Sequence, residues 1–391
     1  MKSNIYFPSL NGVRAIAAIM VIFHHIEQVK NSNTLPNLAA LPIFHKTGAL
    51  GVTLFFVLSG FLITYLLYVE QNSTKTINLL KFYMRRLLRI WPLYFFIIAV
   101  SLTYSFYFGT NPLSSNFFKE KLFLYIFFLP NIAYILYASG GFPSQLWSVG
   151  TEEQFYLIWP HLIKNKLIAS IKGLIIIIFI VNICKIFFYT QSLDNEFSFH
   201  GIKVHNFAYQ FLDKFRVDCM AVGAIGANLY FNKASYVQAL KFIYSNTFQV
   251  ASYLTLFVLL LAPTNFGLFE NQIFSVLFLF IILNLATNPN TFMTLENKHL
   301  KFLGAISYGL YIYHPLILIS IMQLSLFLNI QSSSSFPILY GITVFISTIV
   351  ISYLSYKYIE SPFLRLKHKF TIIPSGDQSK NDNLESQTRN S

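Results

Sequence analysis

Three titratable side chains lie inside the first apolar segment, N-G-V-R-A-I-A-A-I-M-V-I-F-H-H: Arg14, His24 and His25. An arginine inside a membrane span costs about 2.5–3.5 kcal/mol to insert, so such residues are functional candidates. On a helix, Arg14 and His25 share one face and lie about 16 Å apart along the axis. The pair predicts binding of a phosphate or carboxylate group by Arg14 at one depth in the membrane and a base, His25, at another. The alternative is an arginine that reaches the headgroups and histidines that bond neighbouring helices.

A second cluster, Arg85, Arg86 and Arg89, lies in the sequence K-F-Y-M-R-R-L-L-R-I-W-P before the third apolar segment. Spacings of three and four residues make the guanidinium groups converge on a helix. Guanidinium forks bind phosphate oxygens bidentately. The run therefore predicts either a CoA phosphate site or a topology anchor on anionic lipid.

Two adjacent carboxylates, Glu152 and Glu153, follow Ser148 and Thr151, either of which could cap a helix. Carboxylates are favourable in the first turn of a helix, but capping requires only one. The second predicts a role in orienting a histidine or in binding substrate hydroxyls.

A further polar face is predicted in G-A-I-S-Y-G-L-Y-I-Y-H-P, where Ser307, Tyr311 and His314 are spaced by four and three residues and Tyr308 lies between them. This face indicates either a part of the site or hydrogen bonds between helices.

The composition is typical of a membrane protein. Of the 391 residues, 55% are hydrophobic and 11% are charged, and the mean hydropathy is +0.55, whereas about a quarter of residues in soluble domains are charged. The net charge of +13 is spread over short loops, so we expect no nucleic-acid partner. Cys184 and Cys219 lack disulfide or metal-ligand spacing, and we expect both to be packing residues and no metal site.

Ten apolar segments are predicted to cross the membrane, which gives an all-α transmembrane helical bundle. The predicted spans are residues 10–29, 48–69, 90–108, 147–163, 167–189, 217–231, 239–262, 272–287, 302–326 and 336–358. Residues 122–137, interrupted by Pro130 and Asn131, are expected to return to the side from which they started. Lys and Arg then concentrate in cytoplasmic loops and both termini are cytoplasmic, whereas an eleventh span at 122–137 would break this pattern.

We expect a membrane domain at residues 1–364 and a polar, disordered cytoplasmic tail at residues 365–391. No cleavable signal is expected, because Arg14 interrupts the first segment and no small-residue cleavage site follows it. The orientation of the spans predicts that the arginine run at 85–89 and the Glu152/Glu153 pair face opposite sides of the membrane.

A set of motifs follows in order from Leu10 to about Leu364. The motifs are R-x10-H at Arg14 and His25, F-F-V-L-S-G-F-L-I at 55–63, R-R-L-L-R-I-W-P-L-Y at 85–94, W-S-V-G-T-E-E-Q-F-Y at 147–156, F-R-V-D at 215–218, Y-G-L-Y-I-Y-H-P at 308–315 and Y-I-E-S-P-F at 358–363. Each alone is weak, but the ordered set is specific. It resembles the acyltransferase-3 family, membrane enzymes that acylate surface polysaccharides, peptidoglycan and some small molecules.

The resemblance implies a multi-pass enzyme of the bacterial inner membrane. Such an enzyme transfers an acyl group, here expected to be acetyl, from cytoplasmic acyl-CoA to a hydroxyl of an extracytoplasmic carbohydrate such as O-antigen of lipopolysaccharide or exopolysaccharide. It implies that Arg14 and His25 are essential and that Arg86 and Arg89 lie near the CoA. Some members carry an extracytoplasmic hydrolase-like domain that completes the transfer. Here we expect the membrane domain to deliver the acyl group directly or to hand it to a separate protein.

Within such a mechanism, His25 is predicted either to accept the proton of the acceptor hydroxyl or to carry the acyl group itself. Glu153 is the candidate to hold His25 in its useful tautomer, and Tyr311 or His314 the candidate to stabilise the oxyanion. His24 and Glu152 are further candidates for contacts with substrate.

The rival interpretation is a transporter or flippase of a lipid-linked saccharide, in which the intramembrane arginine and histidines form a coupling path. The two functions differ at Arg86 and Arg89, because a CoA site requires acyl-CoA binding and a transporter does not.

Overall fold

The computed structural model describes residues 5–108, 116–137, 143–168, 170–194, 198–199, 201–374 and 376. In this part of the chain sixteen α-helices follow one another. They are α1 Leu10–Ser32, α2 Pro42–Thr74, α3 Leu79–Phe108, α4 Asn116–Ile126, α5 Pro130–Leu136, α6 Leu146–Lys164, α7 Ile171–Asp194, α8 Val204–Phe215, α9 Val217–Phe231, α10 Val237–Ile243, α11 Asn246–Leu261, α12 Glu270–Thr287, α13 Lys298–Ala305, α14 Ser307–Phe327, α15 Phe336–Ser355 and α16 Ser361–Leu366. A 3-10 turn, Gly267–Phe269, precedes α12; a π-helical turn, Tyr356–Glu360, joins α15 to α16; and a second 3-10 turn, Lys367–Phe370, follows α16.

The all-α prediction is correct for these helices but misses one small hairpin. Strand β1, Ser198–Phe199, pairs antiparallel with β2, Ile202–Lys203. Gly201 lies between them with φ of 78°, a conformation that glycine adopts without strain.

Seven helical stretches among the described residues are long and apolar enough to cross a membrane, and the α10–α11 pair, bent by 57°, makes eight if it is one broken span. All eight overlap predicted spans. The other two predicted spans are also helical, since α9 has 15 residues and α6 has 19. The protein is therefore a multi-pass membrane protein, and the total of ten spans remains a prediction.

Residues 122–137 are interrupted, as Pro130 and Asn131 predict. Pro130 begins α5, at a position where a helix needs no backbone N–H. Asn131 is fully buried and exchanges two hydrogen bonds with Gln154 of α6, at 3.0 and 2.8 Å. Since a buried amide without partners would be costly, this exchange fixes the break against α6.

The centre of the bundle is the contact of α2 with α9 and α1. A Cβ atom on Gly60 would overlap the carbonyl of Met220, and one on Gly223 would overlap that of Val57. Small residues let the backbones of membrane helices approach closely, and such packing holds them together in lipid. On the other side of α2, Gly51 packs against the carbonyl of Ala17 of α1 in the same way.

The first and last described segments of the chain lie together. The N–H of Ile5 donates to the carbonyl of Pro374 at 3.0 Å, and the N–H of Gly376 donates to that of Ile5 at 2.9 Å. The start of the predicted tail, residues 365–374, thus contains the end of α16 and a 3-10 turn and contacts the N-terminal segment. Residues 375 and 377–391 of that tail lie outside the described residues.

Candidate active site

A cavity lies between α1, α2, α3, α6 and α14, and segments from both ends of the chain contribute to its lining. Five of the ten predicted site residues line it. These are Arg14, Arg86, Arg89, Glu152 and Tyr311.

Four cationic side chains face this cavity against one carboxylate. Arg14, Arg86, Arg89 and Lys367 line it together with Glu152. Because burying cations without matching anions is unfavourable, the lining favours an anionic ligand.

The contacts of these arginines leave much of their hydrogen-bonding capacity unused. Arg14 Nη1 donates to Asn11 Oδ1 at 2.9 Å. The guanidinium of Arg86 lies over the ring of Tyr156, 5.4 Å from its centroid, while its Nε is buried without a hydrogen-bond partner among the described residues. Guanidinium groups held over aromatic rings in this way remain able to donate to phosphate oxygens.

Arg85 differs from its neighbours. Its Nη2 forms an ion pair with Glu70 at 3.0 Å, and its Nη1 donates to the carbonyl of Phe370 at 2.9 Å. The structure thus places Arg85 in a contact between α2, α3 and the C-terminal turn, outside the cavity lining, and corrects its predicted position in the CoA site.

Glu152 is hydrogen-bonded within the cavity wall. It accepts from Ser59 Oγ at 2.7 Å and from the Tyr156 hydroxyl at 3.1 Å. Since Arg86 lies over the ring of that same tyrosine, Glu152 and Arg86 border one cavity. The prediction that the arginine run and the glutamate pair face opposite sides of the membrane is therefore wrong for Arg86 and Glu152.

The predicted pairing of Glu153 with His25 is also wrong. Glu153 Oε2 accepts from the indole N–H of Trp91 at 3.1 Å, and its other oxygen is buried with no hydrogen-bond partner among the described residues. The hydrogen bonds of His25 go elsewhere: its Nδ1 lies 2.9 Å from the carbonyl of Val21 and 3.2 Å from Nε2 of His314.

These contacts assign the tautomers of both neutral rings. His314 Nδ1 lies 3.3 Å from the carbonyl of Leu310, and a carbonyl only accepts, so this nitrogen carries the proton and Nε2 is an acceptor. By the same argument His25 Nδ1 carries a proton, which it shares between Val21 and His314. The free lone pair of His25 is then on Nε2, for which the described residues provide no hydrogen-bond partner. His314 thus takes the orienting position that was predicted for Glu153.

His24 lies apart from the cavity. Its Nδ1 bonds the carbonyl of Phe44 at 2.7 Å, and its ring packs where Gly48 has no side chain. This matches the alternative of a histidine that bonds a neighbouring helix.

Tyr311 lines the cavity, but its hydroxyl proton is already engaged. It donates to the carbonyl of Gln145 at 3.0 Å and lies 2.7 Å from Ser148 Oγ, which can donate to it. The Nδ1 proton of His314 is likewise engaged by Leu310. The bonds of Tyr311 join α14 to the start of α6, whereas that of His314 lies within α14. Neither predicted oxyanion donor therefore has a free proton in this structure.

Sequence reasoning missed several residues of the cavity lining, among them Ser59, Tyr156 and Lys367. Ser59 and Tyr156 lie within quoted motifs, but nothing in their spacing pointed to Glu152 or Arg86. Lys367 belongs to a basic stretch that the positive-inside pattern already explained.

Comparison with known proteins agrees with this architecture. The family model of the acyltransferase domain, that of the acyltransferase-3 family, matches residues 7–357. The O-acetyltransferase OatA of Staphylococcus aureus is 29% identical over 395 residues, covering 96% of this chain and 60% of the relative. The peptidoglycan O-acetyltransferase OatA of Listeria monocytogenes is 28% identical over 401 residues, covering 96% and 58%. A putative O-acetyltransferase of S. aureus is 29% identical over 387 residues, covering 92% and 57%.

The chain spans about 60% of the length of the OatA relatives that it matches. No solved structure matches it. The family match extends over nearly the whole chain and over every motif except the last, Y-I-E-S-P-F at 358–363, which begins just beyond it. The protein therefore belongs to the acyltransferase-3 family of membrane acyltransferases.

Proposed function

We propose that the protein is an O-acyltransferase of the bacterial inner membrane that moves an acyl group, acetyl in the first instance, from acyl-CoA to a hydroxyl of a cell-envelope carbohydrate. One observation carries the proposal: a cavity lined by cations begins at Arg14, and the free Nε2 of His25 lies further along the same helix. Family membership favours this function over the transporter or flippase.

The cation-lined cavity is the proposed site for the CoA phosphates. Arg14, Arg86 and Arg89 supply forked donors that match phosphate oxygens. In acyl-CoA the pantetheine arm separates the phosphates from the thioester, so the base must be remote from the phosphate site. Arg14 and His25 meet this need, since they lie about 16 Å apart along α1.

His25 is the proposed reacting group. In direct transfer, the acceptor oxygen attacks the thioester carbonyl while its proton passes to Nε2 of His25; the new C–O bond forms, the C–S bond breaks, and the CoA sulfur leaves as a thiolate that is then protonated. In the covalent route, Nε2 itself attacks the thioester carbonyl, the C–S bond breaks and the CoA thiolate leaves. The acceptor oxygen then attacks the acyl carbon, the C–N bond to the ring breaks, and the hydroxyl proton is released to the thiolate. Both routes need the lone pair on Nε2, and the bonds from Nδ1 to Val21 and His314 support that tautomer.

The acceptor is proposed to be a glycan hydroxyl outside the cytoplasmic membrane. The name of the Listeria relative, a peptidoglycan O-acetyltransferase, moves peptidoglycan ahead of O-antigen or exopolysaccharide as the first acceptor to test. Direct transfer by the membrane domain, or transfer through a separate protein, is part of the same proposal.

A deletion strain complemented with the wild-type gene or with His25→Ala tests the acceptor. Mild alkali releases ester-linked acetate from purified peptidoglycan and, separately, from other surface polysaccharides. We expect the wild type alone to restore ester-linked acetate in one fraction, and that fraction identifies the acceptor. Equal ester content in all strains and fractions would contradict the proposal.

Binding to the donor is tested with the purified protein in nanodiscs. We expect saturable binding of acetyl-CoA that is weakened in Arg86→Ala. A transporter of a lipid-linked saccharide would bind no acetyl-CoA.

A further inference from the structure

The fourth cation of the cavity comes from outside the family match. Lys367 begins the 3-10 turn that follows α16 and lies ten residues beyond the matched region, yet it lines the cavity with Arg14, Arg86 and Arg89. Its neighbour Lys369, two residues further on the same turn, is exposed and does not line the cavity. The turn thus presents one lysine to the cavity and one to solvent.

We propose that Lys367 binds a phosphate group of acyl-CoA, and that the segment carrying it forms, with the N-terminal segment, a strap that opens to admit the donor. This rests on the proposed function. By "strap" we mean residues 5–7 together with residues 367–374 and 376.

The position of Lys367 is fixed by Arg85, the arginine of the run that does not line the cavity. Arg85 donates to the carbonyl of Phe370, the last residue of the turn, and is itself held by Glu70. An ion pair with few exposed atoms holds a turn more firmly than one in water. Arg85 is therefore a positioning residue for Lys367, which explains why a third arginine of the run points away from the cavity.

Each half of the strap is anchored to the bundle, and backbone hydrogen bonds join the two halves to each other. Phe7 packs edge-on against Phe61, Tyr65 and Tyr230, with ring centroids 5.2, 5.0 and 5.9 Å away. The backbone N–H of Ser9 is bound by the carboxylate of Glu296. Within the part of the chain that the structure describes, the two halves meet at the backbone hydrogen bonds that join Ile5 to Pro374 and Gly376.

The cavity is too small to enclose the whole donor. Its volume is about 230 Å³, below the roughly 300–1,000 Å³ of pockets for drug-sized ligands. Ile5, Tyr6, Phe7 and Gly376 of the strap all line it. Since acyl-CoA is larger than a drug-sized ligand, we infer that part of the lining moves when it enters, and the strap, whose two halves meet at the backbone hydrogen bonds of Ile5, is the part proposed to open.

The first test compares acetyl-CoA affinity in nanodiscs for the wild type, Lys367→Met and the matched control Lys369→Met. We expect Lys367→Met to raise Kd roughly ten- to hundredfold, as for loss of a charge-assisted hydrogen bond, Lys367→Arg to bind nearly as well as the wild type, and Lys369→Met to be unchanged. If the wild type binds and Lys367→Met binds equally well, the assignment of Lys367 is overturned while the proposed function stands. A wild type that binds no acetyl-CoA overturns both.

Comparison of acetyl-CoA with 3′-dephospho-acetyl-CoA, which lacks the ribose phosphate, identifies which phosphate Lys367 binds. If the loss caused by Lys367→Met disappears with 3′-dephospho-acetyl-CoA, Lys367 binds the ribose phosphate; if the loss persists, it binds the pyrophosphate. Either result supports the proposal.

The second test closes the strap chemically. Ile5→Cys and Pro374→Cys, in a chain with Cys184→Ala and Cys219→Ala, are joined by a short bifunctional maleimide. We expect the association rate of acetyl-CoA to fall at least tenfold on cross-linking, while the same protein without cross-linker binds like the parent. An unchanged association rate in the fully cross-linked protein would show that the donor enters elsewhere.

Discussion

The two ends of the polar face of α1 are constructed in opposite ways. Arg14 faces the cavity with three other cations, and Nε of Arg86 is buried without a hydrogen-bond partner among the described residues. His25 is enclosed by α14, and its Nδ1 is bonded to Val21 and His314. A site that binds the charged acyl donor must keep N–H groups free to donate hydrogen bonds to it, whereas a base must be held in one tautomer. The contrast indicates binding at one end and chemistry at the other.

The largest effect is expected at the enclosed end. His25→Ala removes the free Nε2, so acyl transfer should fall by at least the 10²–10⁴-fold typical of a lost general base. Acetyl-CoA binding should remain, because the cavity lining is unchanged. The measurement is ester-linked acetate per unit of protein in the membrane, with His24→Ala as the matched control. A larger loss in His24→Ala than in His25→Ala would invert the assignment.

The next effect concerns the orientation of His25. In His314→Ala the bond from His25 Nδ1 loses one acceptor, so the maximal transfer rate should fall about 10²-fold through misplacement of the base. The KM for acetyl-CoA should not change. His314→Gln retains an acceptor oxygen and should recover part of the rate. A higher KM with an unchanged maximal rate would instead assign His314 to binding.

At the Arg14 end of α1, substitutions should change the affinity for acetyl-CoA. Arg86→Ala and Arg89→Ala should each weaken acetyl-CoA binding by about 1.5–3 kcal/mol, with the maximal rate little changed. Lys substitutions should rescue only in part, because a point charge cannot bind bidentately. Arg85→Ala is the comparison, and it should reduce the affinity for acetyl-CoA less than Arg86→Ala or Arg89→Ala. In a Lys367→Met background, Arg85→Ala should reduce that affinity no further, since Arg85 acts through the turn that carries Lys367. Full additivity of these two substitutions would contradict that link.

These contrasts were only partly predictable from the sequence. Helical periodicity correctly put Arg14 and His25 on one face, and it put Tyr311 and His314 on one face of α14, because the residue spacing determines the angular position around a helix. It could not show which neighbouring helix each face meets. For that reason Glu153 was assigned to His25, although it bonds Trp91, and Arg85 was grouped with Arg86.

Lys367 shows a second limit. A lysine beyond the last span fits the positive-inside pattern wherever it points, so charge counting assigns it no further role. Only the folding of the C-terminal turn against Arg85 reveals that Lys367 faces the cavity and Lys369 does not. Interactions between residues remote in the sequence depend on tertiary packing, which periodicity does not encode.

Cysteine substitutions that report which side of the membrane a residue faces should have no effect on activity. Gln71 Nε2 at the end of α2 donates to the carbonyl of Lys164 at the end of α6, so those two ends lie together. Ser144 precedes α6, whose 19 residues extend about 28 Å. Asn72→Cys and Ser144→Cys, in a chain lacking Cys184 and Cys219, should therefore lie at opposite faces. An impermeant thiol reagent applied to intact spheroplasts should label Ser144→Cys alone, and permeabilised cells should label both. Labelling of Asn72→Cys in intact cells would place the arginine-lined cavity outside, where acyl-CoA is absent, and would separate that cavity from its proposed donor.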